Sequence, residues 1–170
     1  MPPCRRPETG ASGRVGVIGT VGTIASGAYQ LVGARVDPSM VLTCAACPGF
    51  VEFVEQGETD SDNVHVLAER LLWPVRSEQV DALLLGCTHY PFLARTIGDV
   101  MGRNVVLVSS AEETAFEVSS IFEETGLSRR SAGKGTHRFL SSGDVGWFRE
   151  LGARLLGPEL DDVERVEWDR

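Results

Sequence analysis

Reactive side-chain types crowd into one short segment, Leu85-Gly86-Cys87-Thr88-His89-Tyr90-Pro91. An apolar run over 80–85 stops at Gly86 and a helix is predicted over 91–101, so the cluster falls where a buried strand gives way to a helix. A cysteine in such a turn lies close to main-chain N–H groups, whose partial positive charge favours thiolate. A histidine two residues away exchanges a proton with that thiol or stabilises it as an ion pair. The rival reading is a buried cysteine beside a histidine that merely caps or bonds locally. For an arbitrary Cys-x-His that rival is the better one, but the strand-to-helix turn, with glycine before and proline after, reverses the preference.

A second turn of the same kind, Gly19-Thr20-Val21-Gly22-Thr23, follows the apolar run over 15–18. Main-chain N–H groups and two hydroxyls converge there, which is the chemistry of a carboxylate or phosphate site, although many such turns are only tight connections. The glycine spacing is not that of a dinucleotide fingerprint, and no P-loop lysine is present. Glu55 ends the apolar segment Phe50-Val51-Glu52-Phe53-Val54-Glu55. It is either an acid within reach of the site or a solvated helix-terminal residue, and residue type alone favours the second.

The other cysteines do not assemble a framework. Of Cys4, Cys44, Cys47 and Cys87, only Cys44-Ala-Ala-Cys47 is a close pair, where structural zinc wants two. No secretion signal provides an oxidising compartment for disulfides. A redox pair at Cys44 and Cys47 is a weaker reading than two small side chains buried at a strand end.

Composition narrows the classes. The chain has 170 residues, a hydrophobic fraction of 42% and a formal charge of −8. That suffices for a packed core and argues against nucleic acid, whose phosphates are bound by clustered Lys and Arg. The short basic pairs Arg5-Arg6 and Arg129-Arg130 read as solvated surface. No run approaches the roughly 20 apolar residues of a membrane span, so no membrane partner is expected and the cytoplasm is the default location.

The elements that must position the motifs alternate. Residues 1–13 have no apolar period and read as a disordered or non-native leader. A strand over 15–18 is followed by a helix over 23–32, and Val36 with 40–43 suggests the next strand, closed by Cys47-Pro48. After an acidic loop over 58–62, a helix runs from Val64 until Pro74 stops it. The strand over 80–85 and helix over 91–101 come next, then a strand over 105–108. Ser110 and Glu113 form a capping-box pattern before a helix with Ala115, Val118, Ile121 and Phe122 on one face, ending at Gly126. A strand over 137–140 and a helix over 143–156, with Trp147, Phe148, Leu151 and Leu155 on one side, complete the chain. Strand and helix alternation indicates an α/β fold with a mostly parallel sheet and function at the carboxyl ends of its strands.

Three segments in this order and spacing resemble bacterial glutamate racemase, of the aspartate/glutamate racemase family. They are Val17-Ile18-Gly19-Thr20 with Thr23-Ile24, Ala46-Cys47-Pro48-Gly49-Phe50-Val51 up to Glu55 and Gly57, and Gly86-Cys87-Thr88-His89-Tyr90-Pro91. The last is highly specific. The resemblance covers 14–110 and continues loosely through His137-Arg138-Phe139, Ser142-Gly143-Asp144 and Leu155-Leu156-Gly157.

The resemblance implies a three-layer, parallel-sheet racemase-type domain over 14–107, and a segment over 108–170 that in the family packs back on a first domain. It implies cofactor-independent inversion of glutamate by two cysteines on opposite faces, one as thiolate and one as thiol, supplying D-glutamate for peptidoglycan, with neither metal nor pyridoxal phosphate. Cys87 would be the base for the L-enantiomer and His89 its proton partner. Thr88, Thr20 and Thr23 would hold substrate, and Glu55 would act electrostatically behind them. The family's N-terminal domain, with its Asp-Ser start and its Cys-Asn-Thr motif, is expected to be largely absent, and Cys4 has no strand-turn-helix context to replace it. The apolar faces at 118–122 and 147–155 would then favour homo-oligomerisation or association. A racemase for aspartate or a similar acid, and a glutamate-binding fragment without chemistry, are the alternatives.

Overall fold

A computed structural model of the chain describes residues 12–129, 133, 135–158, 160 and 162–168. Most of the expected leader over 1–13, including Cys4 and the Arg5-Arg6 pair, and Arg130 lie outside the described residues. Contacts divide the chain between Glu124 and Thr125 into two compact units.

In the first unit β1 (Arg14–Gly19), β2 (Val41–Ala46), β3 (Ala82–Leu85) and β4 (Val106–Ser109) form one parallel sheet in the order β2-β1-β3-β4. Val17 pairs with Cys44 on one side and Leu84 on the other, and Leu84 with Val108. Because side chains alternate along a strand, this register puts Gly16, Ile18, Leu83, Leu85 and Leu107 on one face and Val17, Leu42, Leu84 and Val106 on the other. Helices α4 (Asp62–Ser77) and α5 (Ala94–Met101) cover the first face: Val75 of α4 lies over Gly16, and Gly98 of α5 approaches Leu107. Ile18, Leu72, Val75, Leu83 and Ile97 are completely buried there. On the second face Gly33, in α2 (Ala28–Val36), approaches Leu42. The result is the expected α/β layering.

Local chemistry explains where helices start and where the expected ones differ. The helix expected over 23–32 is two helices, α1 (Val21–Ala25) and α2, because Gly27 adopts a left-handed φ of +67° between them. Val36, expected near a strand, ends α2, and the strand begins only at Val41. The segment 50–56 is a helix, α3 (Phe50–Gln56), bracketed by Gly49 and Gly57 at φ +94° and +80°. Pro74 does not stop α4, which continues to Ser77. The proline removes one main-chain donor near the helix end, while burial of Leu72 and Val75 on either side of it holds the last turn against the sheet. Ser61 caps α4 by accepting from the Val64 N–H at 3.4 Å. The helix expected over 91–101 begins instead as a single 3₁₀ turn, Tyr90–Leu93, before α5.

Helix α6 (Ser110–Thr125) has no capping box at Ser110. Ser109 accepts from the Glu112 N–H at 3.4 Å, and Ser110 donates to the Leu85 carbonyl at 3.0 Å. Its apolar residues Val118, Ile121 and Phe122 are exposed. The second unit holds β5 (Phe139–Ser141), α7 (Val145–Leu156) and the unforeseen β6 (Val163–Arg165), with β5 and β6 parallel. Arg138 grips Glu164 with two bonds of 2.8 and 2.7 Å, and Asp144 caps α7. Leu160, 1% exposed, packs onto Gly152, so α7 has a buried partner; Phe148, Leu151 and Leu155 are half-buried and Trp147 is exposed. Among the described residues no helix is long and apolar enough to cross a membrane.

The approach of α4 to the sheet depends on the missing side chain at Gly16, where a Cβ would collide with Val75 and lie 2.9 Å from Leu83. Gly16→Ala is expected to cost about 1–3 kcal/mol by overpacking, read as a lowered urea midpoint with an unchanged slope.

Candidate active site

A wholly parallel sheet brings the carboxyl ends of its strands to one edge. Thr20, Cys47, Cys87 and Ser110 follow the ends of β1, β2, β3 and β4 there. The strand ends are tied to each other past the last paired residues. Gly86 N–H donates to the Ile18 carbonyl at 2.8 Å, Cys47 N–H to the Gly19 carbonyl at 2.9 Å, and the Ser110 hydroxyl to the Leu85 carbonyl. The tight crossing at Gly86 forbids a side chain, since a Cβ would sit 2.8 Å from the Ile18 carbonyl oxygen.

Cys87 is half-buried in the bend after β3, with its Sγ 4.0 Å from His89 Nδ1. Thr88 Oγ1 lies 3.5 Å from the same nitrogen. The other ring nitrogen, His89 Nε2, faces Glu55 Oε1 at 3.4 Å. Thiol, imidazole and carboxylate therefore form one line, with the imidazole between two groups that exchange or stabilise its proton. Glu55 is brought there by α3, which packs on the 3₁₀ turn through Phe50 and Tyr90, rings edge-on at 5.4 Å. The acid reading of Glu55, the less favoured one on residue type, is the one its position matches.

Helix geometry around Cys87 is weaker than expected. His89 caps a single 3₁₀ turn and α5 starts only at Ala94, so Cys87 does not sit on the first turn of an α-helix. Its partners are side chains more than a helix terminus.

Thr20 and Thr23 come together at the end of β1. Thr20 caps α1 by accepting from Thr23 N–H at 3.3 Å, and the two hydroxyls are 2.9 Å apart. Since Ile18 pairs with Leu85, this hydroxyl pair and the Cys87 turn extend from adjacent strands.

Cys44 and Cys47 are free thiols. Burial pushes the Cys47 thiol up to about 12 and raises that of Cys44. Sequence reasoning missed two connectors. Buried Tyr90 donates its hydroxyl to the Cys47 carbonyl at 3.1 Å, which joins the loops after β2 and β3. Burial is the main cause of its raised phenol, followed by the charges of Cys47, Cys87 and Glu52. Ser110 makes the corresponding tie to β3. Both lay in view within a few residues after apolar runs, but only pairing of the strands gives them partners.

No family model matches the chain. Among curated proteins, the glutamate racemase of Acidothermus cellulolyticus is 51% identical over 153 residues, covering 89% of this chain and 58% of that protein. The glutamate racemase of Mycobacterium ulcerans is 48% identical over 168 residues, covering 98% and 62%. The chain thus spans about three-fifths of the length of the curated relatives it matches. Among solved structures, glutamate racemase isoform RacE1 of Bacillus anthracis superposes with a TM-score of 0.86 at 37% identity, over 92% of this chain and 59% of that one. Glutamate racemase of Francisella tularensis in complex with D-glutamate gives 0.83 at 28% identity, over 91% and 58%. Sequence and fold agree over about 90% of the residues, and the chain is homologous to glutamate racemases, matching the C-terminal part of those proteins.

Proposed function

We propose that this chain carries one proton-transferring face of a cofactor-independent glutamate racemase located in the cytoplasm, serving the supply of D-glutamate to peptidoglycan. The observation that carries the reading is the line from Cys87 Sγ through His89 to Glu55 at the carboxyl edge of the sheet. In this reading Cys87, as thiolate, removes the α-proton of L-glutamate, and the proton is shared with His89. Glu55 lies 3.4 Å from the other ring nitrogen of His89 and helps to orient the ring. Thr88, Thr20 and Thr23 hold the substrate's carboxylate and amino groups through hydroxyl and main-chain donors.

Inversion needs an acid on the opposite face of the α-carbon. The sequence 1–170 contains no Cys-Asn-Thr motif, the segment to which the family resemblance assigns that acid. Cys47 is a poor substitute, being 1% exposed with a thiol near 12. The domain reading follows: 14–107 holds this half of the site, and 108–170 serves to pack against a partner domain.

Iodoacetamide in limiting amount should label Cys87 before Cys44. Cys47, with its thiol four pH units above a reaction at pH 8, is roughly one part in ten thousand ionised and should label only on unfolding. Peptide mapping reads the order, and earlier labelling of Cys44 would remove the main support for the site.

Incubation of L-glutamate with chain 1–170 in deuterium oxide is expected to deuterate the α-carbon without forming D-glutamate. Cys87→Ala should abolish the exchange. His89→Asn should slow it about a hundred- to ten-thousand-fold, as for loss of one positioned acid or base. Glu55→Gln should slow it only about fivefold or less, because its pair with His89 is part-exposed. Mass spectrometry with chiral chromatography distinguishes the outcomes. Rapid formation of D-glutamate would refute the half-site reading, faster exchange of L-aspartate would move the substrate to the shorter acid, and calorimetric binding of glutamate without exchange would make the chain a binding fragment.

A further inference from the structure

Tyr29 is the side chain that closes over the turn preceding Cys87. A Cβ built on Gly86 would lie 2.8 Å from the Tyr29 hydroxyl oxygen and 3.2 Å from its Cε2, so the edge of the ring rests on the Gly86 backbone. At the matching position of the neighbouring strand, a Cβ on Gly19 would meet Thr23 Cβ at 3.3 Å and Cγ2 at 3.2 Å. Two adjacent strand ends are therefore each covered by a residue of the same short stretch. The helix break makes this possible. In one continuous helix Thr23 and Tyr29, six residues apart at roughly 100° per residue, would stand about 120° apart around the axis and face in different directions. The left-handed residue Gly27 separates α1 from α2 and returns Tyr29 to the sheet.

We propose that Tyr29 is a positioning residue for the Cys87 site, acting by packing its ring edge against Gly86 and so fixing the bend in which Cys87 and His89 meet. This rests on Cys87 being the base of the proposed racemase only where exchange at substrate is the readout. Main-chain bonds close the bend at its two ends, Gly86 N–H to the Ile18 carbonyl and Tyr90 N–H to the Cys87 carbonyl at 3.1 Å. Gly86 has no side chain of its own to anchor it, and a neighbour that fills that space restrains it from outside.

Amide hydrogen exchange on chain 1–170 tests the placement without reference to any substrate. Tyr29→Ala is expected to lower protection of the Gly86 amide about tenfold relative to that of Val17 in the strand core, and to slow α-deuteration of L-glutamate by about the same factor, within the range for residues in direct contact. Tyr29→Phe keeps the Cε2 contact and should retain both. If Tyr29→Ala does not fold, Tyr29→Leu supplies the same comparison with apolar bulk and no ring edge. Unchanged Gly86 protection, an equal loss at Gly86 and Val17, or a Phe variant as impaired as the Ala or Leu one would overturn the proposal. Absence of any Cys87-dependent exchange in the unsubstituted chain would instead overturn the racemase reading, while the amide protections would still decide the role of Tyr29.

Discussion

The hydrogen bond from Gly86 N–H to the Ile18 carbonyl, 2.8 Å long, continues the pairing of β1 and β3 beyond the last residue of β3. It sets the point in space from which the chain turns away into Cys87. A main-chain bond of this kind requires the two backbones to come close, and only a residue without Cβ allows it where the Ile18 oxygen lies 2.8 Å from the position that atom would take. The reactive segment thus starts from the sheet core, anchored by residues that are 0% and 2% exposed, Ile18 and Leu85. A thiol placed by a rigid sheet has little freedom to lose when it must meet a proton donor or acceptor.

Around that anchor the fold recruits one polar connector from each neighbouring strand end. Tyr90 reaches the Cys47 carbonyl, Ser110 the Leu85 carbonyl, and Cys47 N–H the Gly19 carbonyl. Each bond satisfies a carbonyl that a sheet edge would leave to water, and together they tie the four loops to one another. Two thiols end up at this edge with opposite character. Cys47 is almost completely buried, and burial keeps it protonated. Cys87 is half-exposed beside an imidazole that is itself backed by a carboxylate. The surroundings of the two thiols, more than their residue type, set them apart.

Much of this was legible in the residues themselves. Apolar runs ending in glycine announce parallel strands because a strand buried on both faces has no reason to alternate, and β1 and β3, closed by Gly19 and Gly86, follow that rule. The Gly86 to Pro91 motif marked the site because every reactive type in it falls within one turn. The helix boundaries were less legible. Pro74 costs α4 one hydrogen bond, and whether the helix survives depends on what Val75 is buried against. Gly27 is one glycine among 19, and nothing local says that it turns left-handed and splits a helix.

The sequence by itself determined the strand and helix alternation, the parallel sheet that follows from it, and the neighbourhood of Cys87 and His89 in one turn, since these depend on residue type and spacing within a few positions. Tertiary structure alone decided that Glu55, on a helix 34 residues before His89, supplies the carboxylate behind it. It also decided that Tyr90 bonds across to Cys47 and that Tyr29 covers Gly86. These are contacts between segments brought together by strand order, and strand order is set by how four apolar runs and their helices pack, a property of the assembled core that no single stretch of chain contains.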